Sequence, residues 1–255
     1  MKNRLYLAAV ATVVLVGSAQ LLLAFPQQVV QAQDDACSST YLMTEKQKAH
    51  SRIYKEYKLG PEKNLCRLAE TSPEPVLVEV GGLRELPALS PIAQGYPDWF
   101  LRIFAHEADA VVVGVVKSSS SALVEDGSFI FTDVQLAVQE VIKDNSAAPI
   151  SRNTEITVTR PGGTMMLKGK EVRAADVEFD AFQVNARYLL FLTYIPESGG
   201  YRAFSERSFQ LLPRIVAKVT RKPALVLPQS HNDPEAFLNE VRAAVATSAT
   251  WKDGQ

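Results

Sequence analysis

From Ala110 to Val116 the chain is apolar at nearly every position, so the pattern predicts a strand covered on both faces. Phe129 to Ile142 alternates instead. Ile130, Val134, Leu136, Val138 and Ile142 share one parity, and Asp133, Gln135 and Gln139 take the other. That is a long, half-solvated strand, with a bend expected near Thr132-Asp133, where Phe131 breaks the alternation. Glu125-Asp126-Gly127-Ser128 supplies the turn that makes the two strands a hairpin.

Further on, Thr154 to Thr159 places Ile156 and Val158 inside and the threonines outside. Arg160-Pro161-Gly162-Gly163 reads as a hairpin turn before Thr164 to Leu167, and Lys168-Gly169-Lys170 as a second turn. Arg160, Lys168, Lys170 and Arg173 are expected on a solvated face rather than gathered into a basic rim. Tyr188 to Ile195 is apolar on both parities, hence buried, and Tyr201 to Leu212 should pair back through Phe204, Phe209 and Leu211. Five to seven short strands within Ala108–Leu212 predict a small antiparallel β-barrel, since closure removes exposed edges.

Helical patterns flank this block. Thr44 with Gln47 is a capping box, Ala49, Ile53 and Tyr57 recur on one face, and Gly60-Pro61 is a stop. Leu65, Leu68 and Ala69 carry a second helix, completing a hairpin. Prolines 73, 75, 87, 91 and 97 mark a linker with Val76 to Val80 as an edge strand. Pro97 to Ala108 is a short helix with Phe100, Ile103, Phe104 and Glu107 on one stripe, expected to plug one end of the barrel. Asp233-Pro234-Glu235 starts a last helix bearing Phe237, Leu238, Val241, Ala244 and Val245.

The N-terminus changes the picture by giving an address. Lys2 and Arg4 precede a stretch from Leu5 to Phe25 with no charged residue, and Asp34-Asp35 follow. This orientation exports everything beyond Pro26. Two readings stand: a signal peptide cleaved after Ala32, or an uncleaved membrane anchor over residues 5–25. Lipidation at Cys37 is excluded, because Asp34-Asp35-Ala36 occupies the place of a small apolar triplet. The two cysteines, Cys37 and Cys66, both lie beyond the export signal, and an even count in an oxidising compartment predicts a disulfide clamping the helical hairpin.

A formal net charge of −1 over 255 residues carries no footprint for nucleic acid. The chain has no G-x-S-x-G, H-E-x-x-H, Walker or dinucleotide-binding motif, and its three histidines lie in separate segments. His106-Glu107 lacks the second histidine of a zinc helix, since position 110 is alanine. No catalytic, cofactor-binding or metal residues are therefore assigned. Asp126, Asp133, Glu140, Asp176 and Glu178 are the carboxylates that only a tertiary structure would bring together.

A buried strand ending in the Val-x-Gly-x-Val of Val112, Gly114 and Val116, a long strand ending in Val138-Gln139-Glu140-Val141-Ile142-Lys143 and a late Tyr188-Leu-Leu-Phe-Leu resemble the OB-type barrel of the netrin-like and tissue-inhibitor-of-metalloproteinase superfamily. Secreted bacterial proteins share this strand rhythm. The resemblance covers residues 108–212 and implies an OB-like barrel. The inhibitors rely on an N-terminal cysteine and several disulfides, whereas this block has no cysteine, so inhibition is not carried over.

The expected layout is a signal peptide or anchor (1–32), a helical hairpin (33–70), a linker (71–96), a β-barrel domain with its leading helix (97–214) and a tail with a C-terminal helix (215–255). The expected function is a non-catalytic, extracytoplasmic module, secreted, periplasmic or anchored, that binds a protein or cell-surface component without a cofactor. A protease inhibitor by fold analogy and an enzyme with a site hidden in the sequence are the alternatives.

Overall fold

The valine run at 110–116 and the run at 187–195 form the centre of the molecule, because each is apolar on both parities and each finds a hydrophobic layer on both sides. The computed structural model describes residues 37, 42–55, 57, 64–80, 97–213, 215–219 and 233–248. All fall within one compact unit, Asp34–Gln255. Among these residues the helices are α1 (Glu45–Tyr54), α2 (Leu65–Thr71), α3 (Pro97–Glu107) and α4 (Pro234–Ser248). The strands are β1 (Val76–Val80), β2 (Ala110–Leu123), β3 (Ile130–Lys143), β4 (Glu155–Pro161), β5 (Gly163–Leu167), β6 (Lys170–Asp176), β7 (Arg187–Ile195), β8 (Gly200–Arg202), β9 (Ser208–Leu212) and β10 (Ile215–Lys218). The protein is thus mostly β with helical flanks.

The larger sheet runs β10-β9-β7-β2-β3-β4-β8, and β8 also pairs with β7. Strands β2, β3, β4, β8 and β7 therefore follow one another around a ring. Tyr201 is the closing residue, opposite Val158 on one side and Tyr194 on the other. Inside the ring sit Val112, Val116, Val134, Leu136, Val138, Val158, Leu190 and Tyr201. On the outside, Val111, Val113, Leu189, Phe191 and Phe209 meet Leu101, Phe104, Phe237, Leu238 and Val241 of α3 and α4. β2, over Ala110–Val116, and β7 are covered on both faces, as their sequence demanded. Gly114 is required where β2 crosses β3, since a Cβ there would lie 2.7 Å from the Ala137 carbonyl oxygen.

α3 lies on the flank of the ring rather than across its end. Lys143 reaches from the end of β3 to donate to the carbonyls of Ala105 at 2.8 Å and Ala108, closing the helix C-terminus with a cation. α4 is held by Arg242, whose Nε and Nη2 donate to Glu140 at 2.8 and 2.9 Å. This hydrogen-bonded pair lowers the Glu140 carboxyl below its ordinary range. A group depressed in the folded state stabilises above its unfolded pKa and loses that contribution as pH falls through the folded value. Both side chains are about one-third exposed, so Arg242→Gln is expected to cost under about 1 kcal/mol near pH 7. Urea denaturation at neutral pH and near pH 3 should show that cost vanish in acid.

Several expectations are corrected. The chain crosses between sheets at Gly162 (φ 82°), so Arg160–Gly163 is not a hairpin turn: β4 pairs with β3 and β8, while β5 pairs with β6. Arg160 is buried rather than on a solvated face, its guanidinium donating to the carbonyls of Pro161 and Phe179 and lying over the Phe179 ring. Lys168 pairs with Glu70 and Lys170 donates to Ser72, so these cations fasten α2 and its C-terminus. Thr159 is buried too, since α1 covers that side of β4. The expected bend at Thr132-Asp133 is absent. Those residues pair regularly with Ser121 and Ser120, and the irregularities lie near Val111, Gly114 and Lys117 instead. Phe131 breaks the alternation because it faces α1, stacked on Tyr54 at 5.5 Å. Tyr201–Leu212 is interrupted by a 3-10 turn at Ser205–Arg207. Eight strands, not five to seven, lie within residues 110–212.

The smaller sheet, β1-β6-β5, and the α1–α2 pair share a third core with the β2–β3 turn, built on Tyr54, Leu65, Leu123, Phe129, Phe131, Leu167 and Val172. The capping box at Thr44 and Gln47 forms as expected. Asn64 caps α2 and binds the Asp126 carbonyl, close over Gly127 (φ 70°), where a side chain would collide with it. Cys37 and Cys66 form the expected disulfide. β1 is an edge strand, as expected, and it is joined in parallel to β6. Among the described residues no helix is long and apolar enough to cross a membrane. The export segment, Gly60-Pro61, Gly81–Tyr96 and His231 lie outside those residues.

Candidate functional site

The face that α1 turns inward is partly polar. The stripe of Ala49, Ile53 and Tyr57 packs inward as its spacing suggested, and His50 and Ser51 are fully buried beside it with Tyr54. Helix geometry explains the second, polar contact. His50 and Tyr54 are four residues apart and form their own row, adjacent to the apolar one. Beneath that row lie Asp133 of β3, Thr159 of β4, the turn after β7, and Arg202 of β8.

Three side chains form a line. His50 Nδ1 is 2.8 Å from Asp133 Oδ1, and His50 Nε2 is 2.9 Å from Ser198 Oγ. With Asp133 accepting from Nδ1–H, Nε2 is an acceptor and the Ser198 hydroxyl donates to it. This is the connectivity of a serine–histidine–aspartate triad. The surroundings of Ser198 differ from those of a nucleophile. Its Oγ accepts the Gly200 N–H at 3.1 Å. The amides of Ser198 and Gly199 both donate to the Ile195 carbonyl, at 3.2 and 3.0 Å, closing the turn. The two amides nearest the nucleophile are therefore spent, and neither is directed at a developing oxyanion. What the line does is fasten α1 to β3 and to the β7–β8 turn, with Ser51 Oγ accepting from the Glu125 amide at 2.9 Å as a further tie.

Beside the line is a group with unused hydrogen-bonding capacity. Tyr54 Oη, Thr159 Oγ1 and Arg202 Nε are buried and, among the described residues, have no partner within hydrogen-bonding distance, although the Tyr54 and Thr159 hydroxyls are near enough to act on each other. Thr159 and Arg202 face each other across β4 and β8. The Arg202 guanidinium lies over the rings of Phe204, at 4.8 Å, and Tyr54, at 5.5 Å. Tyr57 stands edge-on to Tyr54 at 5.6 Å. Burial raises the hydroxyls of Tyr54 and Tyr57 above the ordinary tyrosine range, against the opposing effect of Arg202 on both, so each stays an O–H donor. Arg207 also lies over Phe204, but Glu107 and Glu206 pair with it. Buried Asp176, raised by desolvation, accepts the Glu178 amide at 2.8 Å.

The carboxylates picked out in the sequence do not converge. Asp126 closes its own turn by accepting from the Ser128 amide, Asp133 meets His50, Glu140 meets Arg242, and Asp176 binds the backbone at Glu178. Among the described residues no three His, Cys, Asp or Glu side chains gather into a cation site. The residues missed were His50, Ser198, Tyr54, Thr159 and Arg202. The signal present in the sequence was the second four-residue row of α1, His50 and Tyr54. The pairing of His50 with positions 83 and 148 residues away left none.

No protein-family model matches this chain, and no curated protein is significantly similar to it.

Proposed function

We propose that the protein is a non-catalytic, extracytoplasmic module that binds a protein or a cell-surface component through an OB-like barrel. The observation that carries this reading is the contrast beneath α1. The Ser198–His50–Asp133 line is saturated by the fold, whereas the neighbouring Arg202 group retains unspent donors, which suits recognition rather than turnover. The closed ring of β2, β3, β4, β8 and β7 supports the barrel, and the Cys37–Cys66 disulfide supports an oxidising compartment outside the cytoplasm.

The direct test is twofold. Capture from envelope fractions on the immobilised full chain should return a specific partner, and capture of nothing above background would count against the reading. A fluorophosphonate probe should leave Ser198 unlabelled. Labelling that disappears in Ser198→Ala would establish the alternative, a serine hydrolase, which the distances of 2.8 and 2.9 Å along the line favour.

A further inference from the structure

We infer that Arg202, Tyr54, Thr159 and Tyr57 form a subsite for a small oxyanion, a carboxylate or phosphate group borne by the ligand; this rests on the binding-module reading above. The inference comes from the balance of donors and acceptors. Tyr54 and Thr159 are fully buried, and among the described residues neither hydroxyl, nor Arg202 Nε, has a partner within hydrogen-bonding distance, the two hydroxyls acting only weakly on each other. Leaving a buried polar group unsatisfied costs roughly 1–3 kcal/mol, so three together are a standing cost that a bound acceptor would relieve. Two phenols that stay protonated, one threonine hydroxyl and a guanidinium are all able to donate, and an oxyanion is the acceptor that matches such a set.

Charge points the same way. Arg207 is compensated by Glu107 and Glu206, but no carboxylate lies within ion-pair distance of Arg202 among the described residues. Its guanidinium is held between the Phe204 and Tyr54 rings, so the planar fork is oriented before any ligand arrives. Arg202 as a residue keeps partial exposure while its Nε is sealed, so the guanidinium stands between the surface and the buried hydroxyls. Asp176 and Glu206 act on Tyr57, and Asp133 on Tyr54, so acidic groups border the subsite and oppose a highly charged ligand.

The test uses the full chain with sodium phosphate or sodium acetate, each against sodium chloride at matched ionic strength. The readouts are the Arg202 Nε–H resonance and the thermal midpoint. Both oxyanions should move the resonance and raise the midpoint; a response to phosphate alone supports the subsite and narrows the ligand to a phosphate bearer. Arg202→Lys, which keeps the charge but not the fork, should weaken binding at least about tenfold, the equivalent of about 1.4 kcal/mol. Tyr54→Phe should weaken it without lowering the midpoint in chloride, because among the described residues the hydroxyl it removes has no partner within hydrogen-bonding distance. An Arg202 resonance indifferent to both oxyanions, marking a site that holds only water, would overturn the inference. So would envelope capture that Arg202→Lys leaves undiminished, in which case the binding-module reading stands; a wild-type chain that captures nothing but responds to phosphate would instead remove that reading and keep the subsite.

Discussion

His50→Ala is expected to destabilise the protein by about 3–5 kcal/mol, the sum of about 1–3 kcal/mol for each buried polar group left without its partner and the cost of the cavity. The imidazole is fully buried between Asp133 and Ser198. Its loss strands a carboxylate that is only 12% exposed, leaves the Ser198 hydroxyl without its acceptor and opens a cavity against Phe131, whose ring meets the imidazole edge-on. In a domain of this size the thermal midpoint should fall by on the order of 10 °C. Thermal and urea denaturation of His50→Ala, Asp133→Asn and the double variant form a cycle that isolates the coupling between them. A His50→Ala protein within about 1 kcal/mol of wild type would mean that α1 is not fastened by this line.

Loss of the disulfide is the other large effect. Cys37 and Cys66 are 29 residues apart, and closing a loop of that length stabilises by about 3.5 kcal/mol in the chain-entropy treatment. Cys37→Ser with Cys66→Ser, or reduction under native conditions, should lower the unfolding midpoint accordingly. The loss should be concentrated in α1 and α2, read as faster amide exchange there than in β2 and β7. Those two strands are covered by apolar layers on both faces and do not depend on the clamp. Equal acceleration across the ring would show instead that the hairpin and the ring unfold as one unit. The two predictions are coupled, because Cys37 and Cys66 pack against the same hydrophobic cluster as Tyr54 of α1.

Much of the ring was legible because its information is local. Ala110–Val116 and Tyr188–Ile195 are apolar on both parities, and a run of that kind has to lie between two hydrophobic layers. The β2–β3 hairpin announced itself through alternation and Gly127, and the capping box at Thr44 and Gln47 needed only four residues. Where the reading failed, the cause was non-local. Phe131 looked misplaced because the sequence does not show that α1 covers that end of β3. Arg160-Pro161-Gly162-Gly163 has hairpin chemistry, yet the strands on either side pair elsewhere, with β3 and β8 on one side and β6 on the other. Arg160 looked solvated because cations usually are, and it is buried because two backbone carbonyls and the Phe179 ring receive it.

By itself the sequence determined the strands of the ring, the capped helices, the disulfide pair and the expectation of export, all of which follow from periodicity, turn chemistry and residue counts within short windows. The tertiary structure alone decided what α1 covers. Asp133 is an ordinary polar position on an alternating strand, Ser198 an ordinary turn serine and Arg202 an ordinary surface cation until the ring closes through β8. Closure sets β8 against β4 and β7, brings the turn under the helix, and removes water from His50, Tyr54 and Thr159 together. A polar group's role depends on which partners remain once water has gone, and those of His50 lie 83 and 148 residues away along the chain.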